Sequence, residues 1–87
     1  MHIQHIRNIH FTKLLKTAGR VREFNFRKLP GENLFHIDVS DDRGNRIVFK
    51  IQKEGNHWHI LQGDVPQWIQ ESEKKLGELI EEELAAQ

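Results

Sequence analysis

Residues 34–60 read LFHIDVSDDRGNRIVFKIQKEGNHWHI. Apolar and polar side chains alternate through this stretch, the period of a strand with one face buried. Phe35, Ile37 and Val39 share a face in its first run, Ile47, Phe49 and Ile51 in its second, and Trp58 and Ile60 in its third. The separators, Asp41-Asp42-Arg43-Gly44-Asn45 and Glu54-Gly55-Asn56, are short, polar and glycine-bearing, as tight reversals require. Connections this short join neighbouring antiparallel strands.

Toward the N-terminus the same pattern gives one more run, with Phe24 and Phe26 on one face, closed by Pro30-Gly31-Glu32-Asn33. Residues 20–62 therefore predict a four-stranded antiparallel β-meander. Its aromatic and β-branched face needs a cover. The cover is predicted C-terminally, as an amphipathic helix over residues 64–85. Asp64 with Gln67 forms a capping-box arrangement, and Pro66 suits a first turn. Val65, Trp68, Ile69, Ser72, Leu76, Leu79, Ile80 and Leu84 then fall on one helical stripe. Gly77 within that stripe costs about 1 kcal/mol against alanine and marks a close approach to the sheet.

Residues 1–19 are predicted as a helical segment. Phe11, Leu14, Leu15 and Ala18 have helical spacing and Gly19 suits a helix stop, giving a short N-terminal helix near 9–18. A competing reading makes part of this segment an extra edge strand. Residues 1–87 thus read as a single α+β domain.

Composition narrows the function. The chain of 87 residues has no cysteine, which removes disulfides, thiolate chemistry and cysteine-based zinc sites. MHIQHIRNIHF interrupts its isoleucines with polar residues, unlike a secretory signal, and no stretch is apolar enough to span a bilayer. A cytoplasmic protein with no membrane partner is expected. Thirteen basic residues balance thirteen acidic ones. Their distribution is uneven. Residues 1–29 carry seven basic side chains against Glu23, and residues 63–87 carry seven acids against Lys74 and Lys75. This asymmetry fits either a basic surface for an acidic partner or a basic front half facing an acidic helix.

Enzyme chemistry finds little support. Tyrosine and cysteine are absent, Ser40 borders a turn, Ser72 lies in the helix stripe, and no phosphate-cradling glycine loop is present. No cofactor is expected. His57 and His59, two apart on a strand, could supply two metal ligands, but His36 lies two strands away, roughly 9–10 Å at ordinary strand spacing. Solvated strand histidines are the expectation, and no metal site is assigned. His2 and His5 are spaced for one helical turn near the N-terminus.

A meander followed by one helix is similar in layout to the single-strand-binding fold of the positive cofactor 4, Whirly and Pur families, which work as dimers. The resemblance covers topology and no residue motif, and it implies nucleic-acid contacts from Arg22, Arg27, Lys28, Arg46 and Lys50. Single-strand binders pair cationic grooves with aromatic stacking platforms, whereas here the aromatic rings alternate toward the helix side. The outer face collects His36, His57 and His59 around Leu34, Val48 and Leu61, as an interface patch does. Those residues are expected to be covered by the N-terminal isoleucines Ile3, Ile6 and Ile9, or by a second copy. The leading expectation is a non-catalytic protein-interaction module with a protein partner or self-association. Nucleic-acid binding is the alternative.

Overall fold

A computed structural model describes residues 8–61 and 64–87. Five strands, β1 (Ile9–Thr17), β2 (Arg20–Lys28), β3 (Leu34–Ser40), β4 (Arg46–Glu54) and β5 (His57–Ile60), pair in sequence order as one antiparallel sheet. Two helices follow, α1 (Gln67–Gln70) and α2 (Glu73–Ala86). The α+β class, the antiparallel sheet and the C-terminal helix agree with the sequence expectation.

The N-terminal helix does not. Residues 9–17 form β1, paired with β2 from Ile9↔Lys28 to Thr17↔Arg20, so the sheet has five strands rather than four. The physical reason lies in the spacing. Phe11 and Leu15 are four apart, which puts them on one face of a helix or of a strand alike. Their strand companions are Ile9, Lys13 and Thr17, all turned toward the helix side, while His10, Thr12, Leu14 and Lys16 alternate to the exposed side. Ala18 and Gly19 both take positive φ, 50° and 79°. That conformation belongs to the two-residue hairpin turn whose twist matches its strands. The glycine taken for a helix stop is therefore a turn glycine.

The helix-side face of the sheet holds the core. Phe24, Phe26, Phe35, Ile37, Val39, Phe49 and Ile51 are buried there against Ile69, Leu76 and Ile80 of the helices. Phe11 stacks on Phe26 with ring centroids 4.6 Å apart, and Phe35 meets both Phe11 and Trp58 edge-on. Offset and edge-to-face contacts of this kind add to the area they bury.

The C-terminal segment is two helices rather than one. Pro66 occupies the position before α1 and no side chain caps it, so the Asp64–Gln67 capping box is not made. Between the helices, buried Ser72 turns its hydroxyl back to donate to the Trp68 carbonyl at 2.8 Å. The stripe survives this break, with Ile69, Ser72, Leu76 and Ile80 buried and Val65, Trp68, Leu79 and Leu84 packed partly against them. Gly77 is where α2 touches the sheet. A Cβ at that position would lie 2.9 Å from both Cβ and Cδ1 of Trp58.

Two substitutions test these local arguments. Gly77→Ala should lower the urea midpoint, because overpacking against Trp58 costs about 1–3 kcal/mol and outweighs the helix-propensity gain of about 1 kcal/mol. Ala18→Asn should raise it, since asparagine tolerates positive φ better than alanine and Asn-Gly favours this turn.

Candidate functional site

The helix-free face of the sheet is built from cross-strand rows. Register places His10 opposite Arg27, Arg27 opposite His36, and His36 opposite Lys50. The Leu61 N–H donates to the Lys50 carbonyl at 3.0 Å and ends the row. Cationic or titratable groups thus stand side by side on four adjacent strands, over about 14 Å at ordinary strand spacing. Neither Arg27 nor Lys50 forms an ion pair with any described residue. The nearest carboxylate is Glu32, whose Oε1 lies 3.1 Å from Nε2 of His36.

The next row is neutralised within itself. Thr12 donates to Asn25 at 2.7 Å, Asn25 donates to Asp38 at 2.9 Å, and Arg46 donates to the same Asp38 oxygen. Arg46 is therefore already engaged, unlike Arg27 and Lys50. Around these rows stand the large apolar side chains most exposed among the described residues: Leu14, Val21, Val48 and Leu61. All four lie on the helix-free face or its margin. Leu14 with Val21 borders β1 and β2, and Val48 with Leu61 borders β4 and β5. Leu34 belongs to the same face but is half-buried.

Other residues singled out from the sequence sit elsewhere. Arg22 is buried on the helix side, where its guanidinium lies 4.1 Å from the centre of a Trp68 ring. It donates to the Thr17 carbonyl at 3.3 Å and to Asp42 at 2.9 Å. Lys28 follows the same alternation toward the helix side. Lys28 is separated from Arg27, Arg46 and Lys50 by the sheet, whereas Arg22 meets Arg46 only across the cleft where β2 and β3 part. Ile9 packs against the core and is not free to cover the outer face. The proposed cover by Ile3 and Ile6, and the His2–His5 pair, lie outside the described residues.

His57 and His59 share a side, with ring centroids 5.9 Å apart, and Glu54 comes within 3.9 Å of His59. Among the described residues no group of three histidine, aspartate or glutamate side chains is placed to hold a metal ion. A groove of about 840 Å³ runs between β5 and α2, lined by Trp58, His57, Glu73, Glu78, Glu81 and Glu82 among others. Lys53 holds the Glu81 carboxyl below its usual range, with the Trp58 indole N–H contributing. A smaller cleft of about 290 Å³ opens where β2 and β3 part beyond Asn25. Its Arg20, Arg22 and Arg46 are matched by Asp38 and Asp42, so it offers little uncompensated charge.

Asp41 closes the β3–β4 turn. Its carboxylate accepts the backbone N–H groups of Asn45 at 2.8 Å and Arg43 at 2.9 Å. Those bonds, led by Asn45, hold its pKa below the ordinary aspartate range. The chain matches no family model, no curated protein and no solved structure. No described helix is long and apolar enough to cross a membrane.

His10, Leu14 and Val21 were missed as site residues in the sequence. The signal that could have found them is the alternation Ile9, Phe11, Lys13, Leu15, Thr17, which is complete only if a lysine is allowed on the buried side. The lowered pKa of Asp41 has a testable sign. Its contribution to stability is present above the usual aspartate range and lost as pH falls through the lowered value. Melting temperature followed against pH should therefore drop on the acid side in the wild type, and Asp41→Asn should flatten that part of the drop.

Proposed function

We propose that this protein is a non-catalytic interaction module whose working surface is the helix-free face of the sheet, and that its partner is an acidic polypeptide segment carrying apolar residues. The observation that carries this reading is the row His10–Arg27–His36–Lys50, flanked at its β5 end by exposed Leu61 and at the adjoining position by exposed Val48. Arg27 and Lys50 stand on this row without a carboxylate partner among the described residues. Carboxylates laid along the row would pair with those two cations, while the neighbouring apolar side chains would gain by leaving water.

A polypeptide fits this surface better than a single-stranded nucleic acid. Base stacking needs aromatic rings, and on the described sheet Phe11, Phe24, Phe26, Phe35, Phe49 and Trp58 all belong to the helix side. Phosphates could engage Arg27 and Lys50, but the bases would find only imidazoles there, and no phenyl or indole platform.

Fluorescence anisotropy separates these readings. A labelled peptide of alternating glutamate and leucine should bind at low salt and release as salt rises, while its glutamine counterpart should not bind. Arg27→Glu together with Lys50→Glu should weaken binding roughly tenfold or more. Absence of binding, or equal binding of the glutamine peptide, would overturn the proposal. Tight binding of an oligothymidylate strand in place of the peptide would also overturn it, in favour of nucleic acid.

A further inference from the structure

The two edges of the sheet are finished differently. β5 is four residues long, and Glu73 accepts the outward N–H of Ile60 at 2.8 Å. β1 is nine residues long, and among the described residues no strand lies beyond it. Which of its backbone groups face outward follows from the hairpin. Thr17 and Arg20 close the two-residue turn, so they exchange ladder hydrogen bonds. Leu15, Lys13, Phe11 and Ile9 then do the same with Arg22, Phe24, Phe26 and Lys28. Carried across every register, this parity requires the Leu61 N–H to meet the Lys50 carbonyl, as it does.

His10, Thr12, Leu14 and Lys16 therefore direct their backbone N–H and C=O groups off the free edge. Leu14, 67% exposed, stands on the helix-free face of that edge, and Val21, 64% exposed, is its diagonal neighbour on β2. Natural sheets blunt such an edge with lysine, proline, a bulge or an inward charge; β1 carries one exposed lysine, Lys16, near its turn end, and leaves Leu14 at its centre uncharged. β1 has no proline, and its pairing with β2 runs without a bulge. Its inward charge, Lys13, is paired with Glu83 of α2 at 3.3 Å and so leaves the edge competent.

We infer that β1 is a self-association edge, on which a second copy of this chain pairs antiparallel about a two-fold axis at Leu14. In that register Leu14 opposes Leu14 of the second copy, and Lys16 opposes Thr12. The outward backbone groups of Thr12, Leu14 and Lys16 are then all bonded. Lys13 opposes Leu15, whereas the neighbouring register would set Lys13 against Lys13 and is disfavoured by like charge. Leu14 and Val21 of both copies meet as one apolar cluster at the axis. Such an axis is normal to the sheet, so the Arg27–Lys50 rows of both copies stay on one side. The inference stands on the edge alone and goes beyond the acidic-partner reading, which a peptide titration tests separately.

Sedimentation equilibrium and amide hydrogen exchange on the full chain test it together. The wild type is expected to sediment as a dimer, with the Thr12, Leu14 and Lys16 amides protected. Leu14→Lys should give a monomer in which those amides exchange freely while the Leu15 and Lys13 amides stay protected, showing β1 still folded on β2. A wild-type monomer with freely exchanging Thr12, Leu14 and Lys16 amides would overturn the inference. So would a dimer that survives Leu14→Lys with those amides unprotected, since it would use another surface.

Discussion

Gly77 rests on Trp58. The indole lies where the Cβ of any other residue at position 77 would have to go, so α2 can sit this low on the sheet only with glycine there. From that contact the rest of the covered face follows. Leu76 and Ile80, on either side of Gly77 in α2, share one buried core with the rings of β2, β3 and β4, and Ile69 of α1 belongs to the same core. The Trp58 indole N–H donates to Glu81 one turn further along, and Lys53 meets the same carboxylate. The close approach costs helix propensity and is offset by dense packing of aromatic and branched side chains.

Among the described residues no element covers the other face. One helix pair is all that the described chain supplies, and it goes to the face that carries the rings. The opposite face is consequently free to carry side chains that a core would reject. It does so in an ordered way: a neutralised row at Thr12, Asn25, Asp38 and Arg46, beside the row His10, Arg27, His36 and Lys50, in which Arg27 and Lys50 have no ion-pair partner among the described residues. The charge asymmetry along the chain is answered in part within the molecule, where Lys13 meets Glu83. Arg22 finds Asp42 and the Trp68 ring instead of a surface.

The sequence was most legible where periodicity had one reading. Phe35, Ile37 and Val39, or Ile47, Phe49 and Ile51, are two apart over several repeats, and no helix accommodates that pattern on one face. Around Phe11 the pattern was ambiguous, because spacing of four serves both periods. Leu14, an exposed apolar residue, tipped the reading toward a helix. Gly19 could not correct it, since a helix stop and a type I′ turn both ask for positive φ. With the edge strand kept only as the competing reading, which the structure bears out, the free edge and one end of the cationic row were not drawn. Arg22 was out of reach for a different reason. Its partners Asp42 and Trp68 are distant in sequence, and nothing local separates a buried arginine from a surface one.

The central claim is that one sheet face is sealed by the helices and the other is open to solvent. Paramagnetic relaxation of methyl groups by a soluble gadolinium chelate, recorded on Leu14→Lys at low protein concentration, reads this directly. The account predicts strong relaxation of the Val21, Val48 and Leu61 methyls and little for Ile37, Ile51, Ile69 and Ile80. Equal protection of both sets would contradict it, because the helix-free face would then already be covered by the chain itself.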